Sequence, residues 1–307
     1  MIGYNRLGIN GRLANQMFQY ATLRGLAAKH GYEWCIPPRD RPTNNMADYL
    51  LMDGFKLPHL KNIGYVPETY PTYDEPCHDF DEELFENCPD NINLDGYRQS
   101  EKYFKHIEKE LREDFEFIDD IAGPCKEYMS QYGDNIIFLH VRRGDTTGRP
   151  EKYPVPSIQW YEKMLKENFS DDVAVLLVTD QLDWVKEQEF FKGDRFLLSE
   201  QREYSDTVVW NGRGKMEHSL LPWVDLCLMT LCNGSIIPNS TFGWWGSWLQ
   251  KNRTNNVVYQ HPYFGPFFYE IHECYRDLKD LHPESWIRGH LPDELVDTKY
   301  TPFGNEV

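Results

Sequence analysis

The sequence has 307 residues, of which 40% are hydrophobic, and this length is enough for two domains of ordinary size. Its formal net charge of −17 argues against a general nucleic-acid-binding or anionic-membrane-binding protein. Because it has no apolar run near the ~20 residues of a membrane span and no signal-peptide pattern, the chain as given is predicted to be cytoplasmic and without a transmembrane segment.

The first hundred residues predict a strand, a loop and a helix, followed by irregular structure. Apolar residues recur at helical spacing over 18–26, and Gly31 is placed to end that helix before a strand over 32–36. Residues 37–100 are rich in Pro, Asn, Asp and Tyr, which predicts long loops with short elements. A charged amphipathic helix is predicted from about residue 100 to 117.

From residue 135 onward, strands alternate with helices. The predicted strands are 135–141, 173–179, 195–198, 235–237 and 256–259, and the predicted helices are 157–168, one after 180, 219–231 and 241–250. Continuously apolar strands between helices indicate a parallel sheet covered on both faces. We therefore predict an α/β protein with two Rossmann-type domains that face a cleft. The predicted domains are residues 1–125 and 126–307, with a C-terminal tail that could return to the first domain.

The seven cysteines form no C-x-x-C pair. They are Cys35, Cys77, Cys88, Cys125, Cys227, Cys232 and Cys274. An odd number without metal-binding spacing predicts buried free thiols rather than a disulfide framework or a zinc site.

The stretch "FLHVRRGD" ends a buried strand with two adjacent arginines, Arg142 and Arg143. Ligands of parallel sheets bind beyond the carboxyl ends of the strands, and paired guanidinium groups there suit a phosphate or diphosphate. The alternative is that Arg143 pairs with Asp145 and only orders the loop. Both interpretations stay open from these residues alone.

A second polar turn, Asn239-Ser240-Thr241, leads into the predicted helix 241–250. Free N–H groups and hydroxyls at a helix N-terminus can bind an anion, and ordinary capping by Ser240 or Asn239 is the alternative. The tryptophans of this helix are expected in the core: Trp244, Trp245 and Trp248.

The N-terminal loop is a third candidate, because Gly8 and Gly11 permit close approach of a ligand to the backbone. A fourth motif, Asp79-Phe80-Asp81, matches the D-x-D of metal-dependent glycosyltransferases. It lies within the acidic run "DFDEELFE", which favours a solvated surface over a metal site.

Four separated stretches, "NGRLANQMFQYATLRGLA", "GYRQSEKYF", "HVRRGD" and "NSTFGWWGSWL", together resemble the α-1,2-fucosyltransferases. That family shares the H-x-R-R motif with α-1,6- and O-fucosyltransferases, and it usually has a glycine where this chain has Ala14. The resemblance implies a GT-B fold that uses GDP-β-L-fucose without a metal or other cofactor. It further implies inverting transfer of fucose to the 2-hydroxyl of a terminal galactose on an oligosaccharide acceptor.

The resemblance also implies the donor-binding residues, which are His140, Arg142, Arg143, Asp225, Ser240, Thr241, Gly11 and Asn15. It places His140 near the guanine, and Arg142, with Arg143 beside it, at the diphosphate. Asp225 would accept hydrogen bonds from guanine N1–H and N2–H.

Breaking the fucosyl–phosphate bond builds negative charge on the β-phosphate. The resemblance places Arg142, Ser240 and Thr241 where they stabilise that charge in place of a metal ion, so Arg142 is the predicted catalytic residue. The base that takes the galactose proton is left unassigned, with Asp95 and Glu101 as the two candidates.

Two other functions compete with this one. A metal-dependent glycosyltransferase would use Asp79 and Asp81, and its activity would not survive EDTA. A non-catalytic carbohydrate-binding protein is suggested by the aromatic content of 15%. Such a protein would not be stabilised against heat by GDP. The acceptor glycan and the oligomeric state are open at this level.

Overall fold

The computed structural model of the protein describes residues 1–9, 11–39, 49–199, 222–251 and 256–298. The chain forms two compact α/β units. One consists of Met1–Asp119 with His272–Glu284, and the other of Asp120–Ile271 with Ser285–Val307. The division between the two units falls after Asp119, the first residue of the helix Asp119–Met129. The sequence suggested a boundary at residue 125.

The first unit contains a four-stranded sheet with the order β2-β1-β4-β3, in which the neighbouring strands are parallel. Its strands are β1 (Ile2–Gly3), β2 (Trp34–Cys35), β3 (Thr72–Tyr73) and β4 (Asn93–Leu94). From β1 the chain steps outward to β2, crosses to the opposite edge strand β3, and returns inward to β4 beside β1.

The helices of the first unit are α1 (Leu13–His30), α2 (Leu51–Gly54), α3 (Glu82–Asn87) and α4 (Glu108–Asp114). Helix α1 ends as predicted, because Gly31 takes the left-handed conformation with φ 69° and donates its N–H to the Ala27 carbonyl. The helix predicted from residue 100 to 117 is shorter than expected. Two 3₁₀ turns precede α4, and Phe104 between them adopts φ −136°, which buries its ring against Phe18.

The second unit contains a six-stranded parallel sheet with the order β10-β9-β8-β5-β6-β7. Its strands are β5 (Ile136–Val141), β6 (Ala174–Thr179), β7 (Phe196–Leu198), β8 (Ser235–Ile237), β9 (Val257–His261) and β10 (Ile287–His290). This is the doubly wound Rossmann order, with its topological switch point between β5 and β8. Strand β10 was not predicted, because this edge strand is mostly exposed and carries no apolar run.

The helices of the second unit are α5 (Asp119–Met129), α6 (Ile158–Asn168), α7 (Leu182–Glu187), α8 (Pro222–Thr230), α9 (Thr241–Trp248) and α10 (Pro266–Ile271). The sequence predicted α8 over residues 219–231, and residues 219–221 of that range lie outside the described residues. The three tryptophans of α9 are buried, as predicted, with exposures of 1%, 0% and 3%. Every residue of β5 is buried, so this strand lies at the centre of the sheet and of the core.

The structure corrects one prediction about the cysteines. Cys77 and Cys274 form a disulfide within the first unit, whereas the sequence favoured free thiols. The two cysteines are 197 residues apart, so no local spacing pattern could indicate the bond. The prediction holds for the others, which are buried free thiols: Cys35, Cys88, Cys125, Cys227 and Cys232.

None of the helices in the described part of the chain is both long and apolar enough to cross a membrane.

Candidate active site

Two segments meet at the switch point of the six-stranded sheet. Arg142 directly follows β5, and the turn before α9 directly follows β8. Arg142 Nη1 lies 3.5 Å from the carbonyl oxygen of Asn239 in that turn. A partly exposed guanidinium group and the start of a helix therefore share one edge of the sheet, where parallel sheets bind their ligands.

The turn before α9 is held in place by its neighbours. Asn239 donates its backbone N–H to Gln260 Oε1 at 3.1 Å and its side-chain amide to the Tyr263 carbonyl at 3.1 Å. Ser240 caps the helix, since its hydroxyl accepts from the N–H of Gly243 at 3.5 Å. The capping alternative is thus confirmed for Ser240, while Thr241 is partly exposed. The first turn of α9 is fixed with its N–H groups and positive dipole end at this edge.

His140 lies in β5 beside the same helix. It is only 5% exposed, and within the described part of the chain its Nδ1 has no hydrogen-bond partner. Gly243 allows helix α9 to lie close to the His140 ring, because a Cβ at this position would lie 2.9 Å from His140 Nδ1. Burial, and then the neighbouring Arg142 charge, lower the pKa of His140 to about 3. The ring is therefore neutral near pH 7, and its buried Nδ1 is unsatisfied among the described residues.

The second arginine of the motif is buried and paired. Arg143 is 1% exposed, and its Nη1 lies 2.9 Å from Asp297 Oδ2. Its guanidinium carbon lies 3.9 Å from the centroid of the Trp184 ring, and its backbone N–H donates to Asp180 Oδ1 at 2.8 Å. An ion pair with Asp297 is thus observed, while the side chain of Asp145, the partner that the sequence suggested, lies outside the described part of the structure. These contacts anchor the loop that carries Arg142.

Asp225 lies in the first turn of α8 and is half-buried. Helices α8 and α9 pack closely, because Gly246 of α9 lies against Met229 of α8. A Cβ at Gly246 would be 2.5 Å from the Met229 sulfur. This packing fixes the helix that carries Asp225 against the helix that begins at Thr241.

The remaining predicted donor-site residues lie in the first unit. Gly11 has φ +93°, and a Cβ there would lie 2.1 Å from Asn15 Nδ2, so only glycine fits against that side chain. Asn15 in turn accepts a hydrogen bond from Gln99 Nε2 at 3.0 Å. The structure thus joins Gly11 and Asn15 with the segment that follows β4.

Both candidate bases are engaged by cations. Asp95 is 6% exposed and accepts from Arg6 Nη1 at 2.9 Å. Glu101 is 8% exposed and accepts from Lys105 Nζ at 2.9 Å. Each candidate base therefore has a cationic partner within the first unit.

The D-x-D motif is also used by the fold. Asp81 caps α3 by accepting the Leu84 N–H at 2.9 Å, and it accepts the Tyr73 hydroxyl at 3.2 Å. Burial, and then the nearby Asp280 carboxylate, raise the pKa of Asp79. Asp81 therefore has a capping role in the fold of the first unit.

Sequence reasoning missed Gln260 and Asp297, which hold the turn before α9 and the side chain of Arg143. Gln260 follows the pattern of polar residues at the carboxyl ends of strands, and that pattern could have indicated it. Asp297 lies 154 residues from Arg143, and no pattern in the sequence indicates it.

Comparison with known proteins gives a family and a set of relatives. The sequence model of glycosyl transferase family 11 matches residues 1–277. Human galactoside α-(1,2)-fucosyltransferase 1 is 27% identical over 260 residues, which cover 80% of this chain and 65% of that protein. The chain thus spans less than two thirds of the length of that relative. The α-1,2-colitosyltransferase of Escherichia coli is 26% identical over 311 residues, covering 91% of this chain and 96% of that protein.

Solved structures show the same fold. NodZ α-1,6-fucosyltransferase co-crystallised with GDP has a TM-score of 0.50 and 15% sequence identity, over 80% of this chain and 90% of that chain. The fold is the GT-B-like α/β class expected from the sequence.

Proposed function

Because the chain belongs to glycosyl transferase family 11, we propose that it transfers L-fucose from GDP-β-L-fucose to the 2-hydroxyl of a terminal galactose, with inversion at the anomeric carbon. The observation that carries this proposal is the contact of Arg142 with the turn before α9 at the switch point of a Rossmann sheet. The two relatives described above are both named for α-1,2 transfer, which supports the linkage.

The arrangement suits departure of a diphosphate. As the bond between the sugar carbon and the β-phosphate oxygen breaks, negative charge grows on that phosphate. Arg142 and the N–H groups at Thr241 are fixed before the reaction, so they stabilise this charge without a cost of reorganisation. Such fixed donors supply what a divalent cation supplies in other glycosyltransferases, and we therefore propose a metal-independent reaction.

His140 and Asp225 are proposed to bind the guanine nucleotide. A neutral, buried imidazole nitrogen that has no hydrogen-bond partner among the described residues is costly unless a ligand satisfies it. The half-buried carboxylate of Asp225 suits the two adjacent N–H donors of guanine. The base that receives the galactose proton is not assigned, and Asp95 and Glu101, each in an ion pair, are the two candidates.

The deciding experiment compares Arg142→Ala with wild type, using GDP-fucose, a panel of β-galactosides and NMR to establish the linkage. Loss of one preorganised donor is expected to lower kcat by about 10²- to 10³-fold while the melting temperature stays unchanged. The control is Arg149→Ala, which removes an exposed arginine from the same loop and should keep full activity. Normal turnover by a folded Arg142→Ala enzyme would refute the assignment.

Two further measurements address the competing functions. Stabilisation by GDP against heat is expected for a transferase and not for a carbohydrate-binding protein that lacks a nucleotide site. Full activity in EDTA, and in an Asp79→Ala variant, is expected if no metal takes part. Loss of activity in both would support the metal-dependent alternative.

A second donor is favoured by a specific observation. The E. coli relative that matches this chain over nearly its full length is a colitosyltransferase, and colitose is fucose without the 3-hydroxyl group. The ratio of kcat/KM for GDP-fucose to that for GDP-colitose separates the two. A site built to hydrogen-bond the 3-hydroxyl would reject colitose by about 10⁴-fold or more, whereas an apolar pocket would not distinguish the donors so strongly.

A further inference from the structure

The first unit contains a cluster of three metal-ligating side chains that the proposed reaction does not use. Cys77 lies in the loop between β3 and α3, and His272 and Cys274 lie in the segment His272–Glu284 that returns to this unit. The two sulfur atoms and a ring nitrogen of His272 all lie within 4.8 Å of one another. In the structure the two sulfurs are joined as a disulfide.

We propose that reduction of this disulfide creates a binding site for a zinc-type divalent cation, with Cys77, Cys274 and His272 as ligands and water in the fourth position. Two thiolates and one imidazole are a usual donor set for zinc. With zinc–sulfur distances of about 2.3 Å and zinc–nitrogen distances of about 2.0 Å, the donor atoms of a tetrahedral site are roughly 3.5–4 Å apart. The observed cluster can therefore close around the ion with small movements of its side chains.

The backbone already holds the ligands in place. The Cα atoms of Cys77 and Cys274 are 6.3 Å apart. The His272 ring is held beside Cys274, because its Nδ1 accepts the Cys274 N–H at 3.2 Å. All three side chains are partly or fully exposed, so a metal ion and a reductant can reach them from solvent.

The redox step balances with a thiol reductant. Two electrons break the S–S bond, each sulfur receives one of them and becomes a thiolate, and the reductant (a dithiol or two monothiols) is oxidised to its own disulfide. The protons released by the reductant pass to solvent, and both thiolates donate to the metal ion. Such reductants maintain reduced thiols in the cytosol, where an exposed disulfide would be opened.

The site would keep the returning segment attached to the first unit in either redox state. The same segment contributes Asp280, whose carboxylate accepts the Phe80 N–H at 3.3 Å and pairs with Lys102. The returning segment is therefore held to the first unit both by the cysteine pair and by the non-covalent contacts of Asp280. Metal binding would replace the covalent link where the disulfide is reduced.

The test uses the full chain reduced with a phosphine and titrated with zinc sulfate against a chromophoric chelator. We expect one zinc ion per reduced chain and none for the oxidised chain. Cys77→Ser should abolish binding, and His272→Ala should weaken it by at least about tenfold. The matched control is Cys88→Ser, which removes a buried free thiol of the same unit and should bind zinc as wild type does.

A second probe reports the ligands directly. Cobalt(II) added to the reduced chain should give a thiolate-to-metal charge-transfer band that is absent in Cys77→Ser. Failure of the reduced wild-type chain to bind zinc, or equal binding by Cys77→Ser, would overturn the proposal. Because His272 is exposed, His272→Ala should fold normally, and unchanged zinc binding by this variant would also contradict the proposed ligand set.

Discussion

Removal of the carboxylate of Asp297 tests whether this residue holds the side chain of Arg143 in place. Arg143 is 1% exposed and its partner Asp297 is 15% exposed, so Asp297→Ala removes a carboxylate that pairs with a nearly buried guanidinium charge. Breaking a fully buried pair costs about 3–5 kcal/mol. Because water reaches part of Asp297 and the Trp184 ring still faces the cation, we expect a loss of about 3 kcal/mol. Asp297→Asn keeps a neutral acceptor and should lose about 1–2 kcal/mol.

Thermal unfolding is the assay. For a unit of this size, a loss of about 3 kcal/mol lowers the melting temperature by roughly 6–12 °C. The matched control is Asp293→Asn, an exposed acidic residue of the same tail, which should change stability by less than about 0.5 kcal/mol. If Asp297→Ala melts with the control, the ion pair does not anchor Arg143 and the supporting role described above is wrong.

Other predictions concern glycine packing and pH. Gly25→Ala should destabilise the protein by about 3 kcal/mol, because its Cβ would lie 2.0 Å from the Tyr103 carbonyl oxygen. Both variants are compared by urea titration. Gly64→Ala should be near neutral, because a Cβ there would meet no atom within 4 Å apart from its chain neighbours. Equal losses of stability in the two variants would refute the packing argument. The pKa of His140 is lowered from 6.5 to about 3, first by burial and then by Arg142. Between these values the unfolded chain binds a proton that the folded chain does not, so stability should fall as the pH drops through this range. In His140→Gln the free energy of unfolding should depend less on pH over this range than in wild type. An unchanged slope would contradict the assignment of this pH dependence to His140.

Much of the second unit is predictable from sequence because its information is local. Five of its six strands carry apolar runs typical of a buried parallel sheet, and their alternation with helices indicates the parallel topology. The arginine motif and the polar turn before α9 follow such strands directly. Their meeting at one edge then follows from the rule that places ligands at the carboxyl ends of parallel strands.

The parts that sequence reasoning missed depend on contacts between distant residues. Arg143 is ambiguous in sequence, because a neighbouring aspartate and a distant one are equally able to pair with it. The Cys77–Cys274 bond and the attachment of Asp280 to Lys102 both depend on a segment that follows most of the second unit in the chain. Periodicity and propensity act over a few residues, so neither indicates where such a segment returns.

The division of the chain also has a consequence for synthesis on the ribosome. The first unit combines residues 1–119 with residues 272–284, so contacts between these two segments cannot form until residues 120–271 have been synthesised. The strands of the first unit are therefore synthesised before the second unit, but the first unit is completed only when residues 272–284 have followed. Until residue 272 is synthesised, the first unit lacks Cys274 and Asp280, and its loops are more accessible to proteases than in the finished protein.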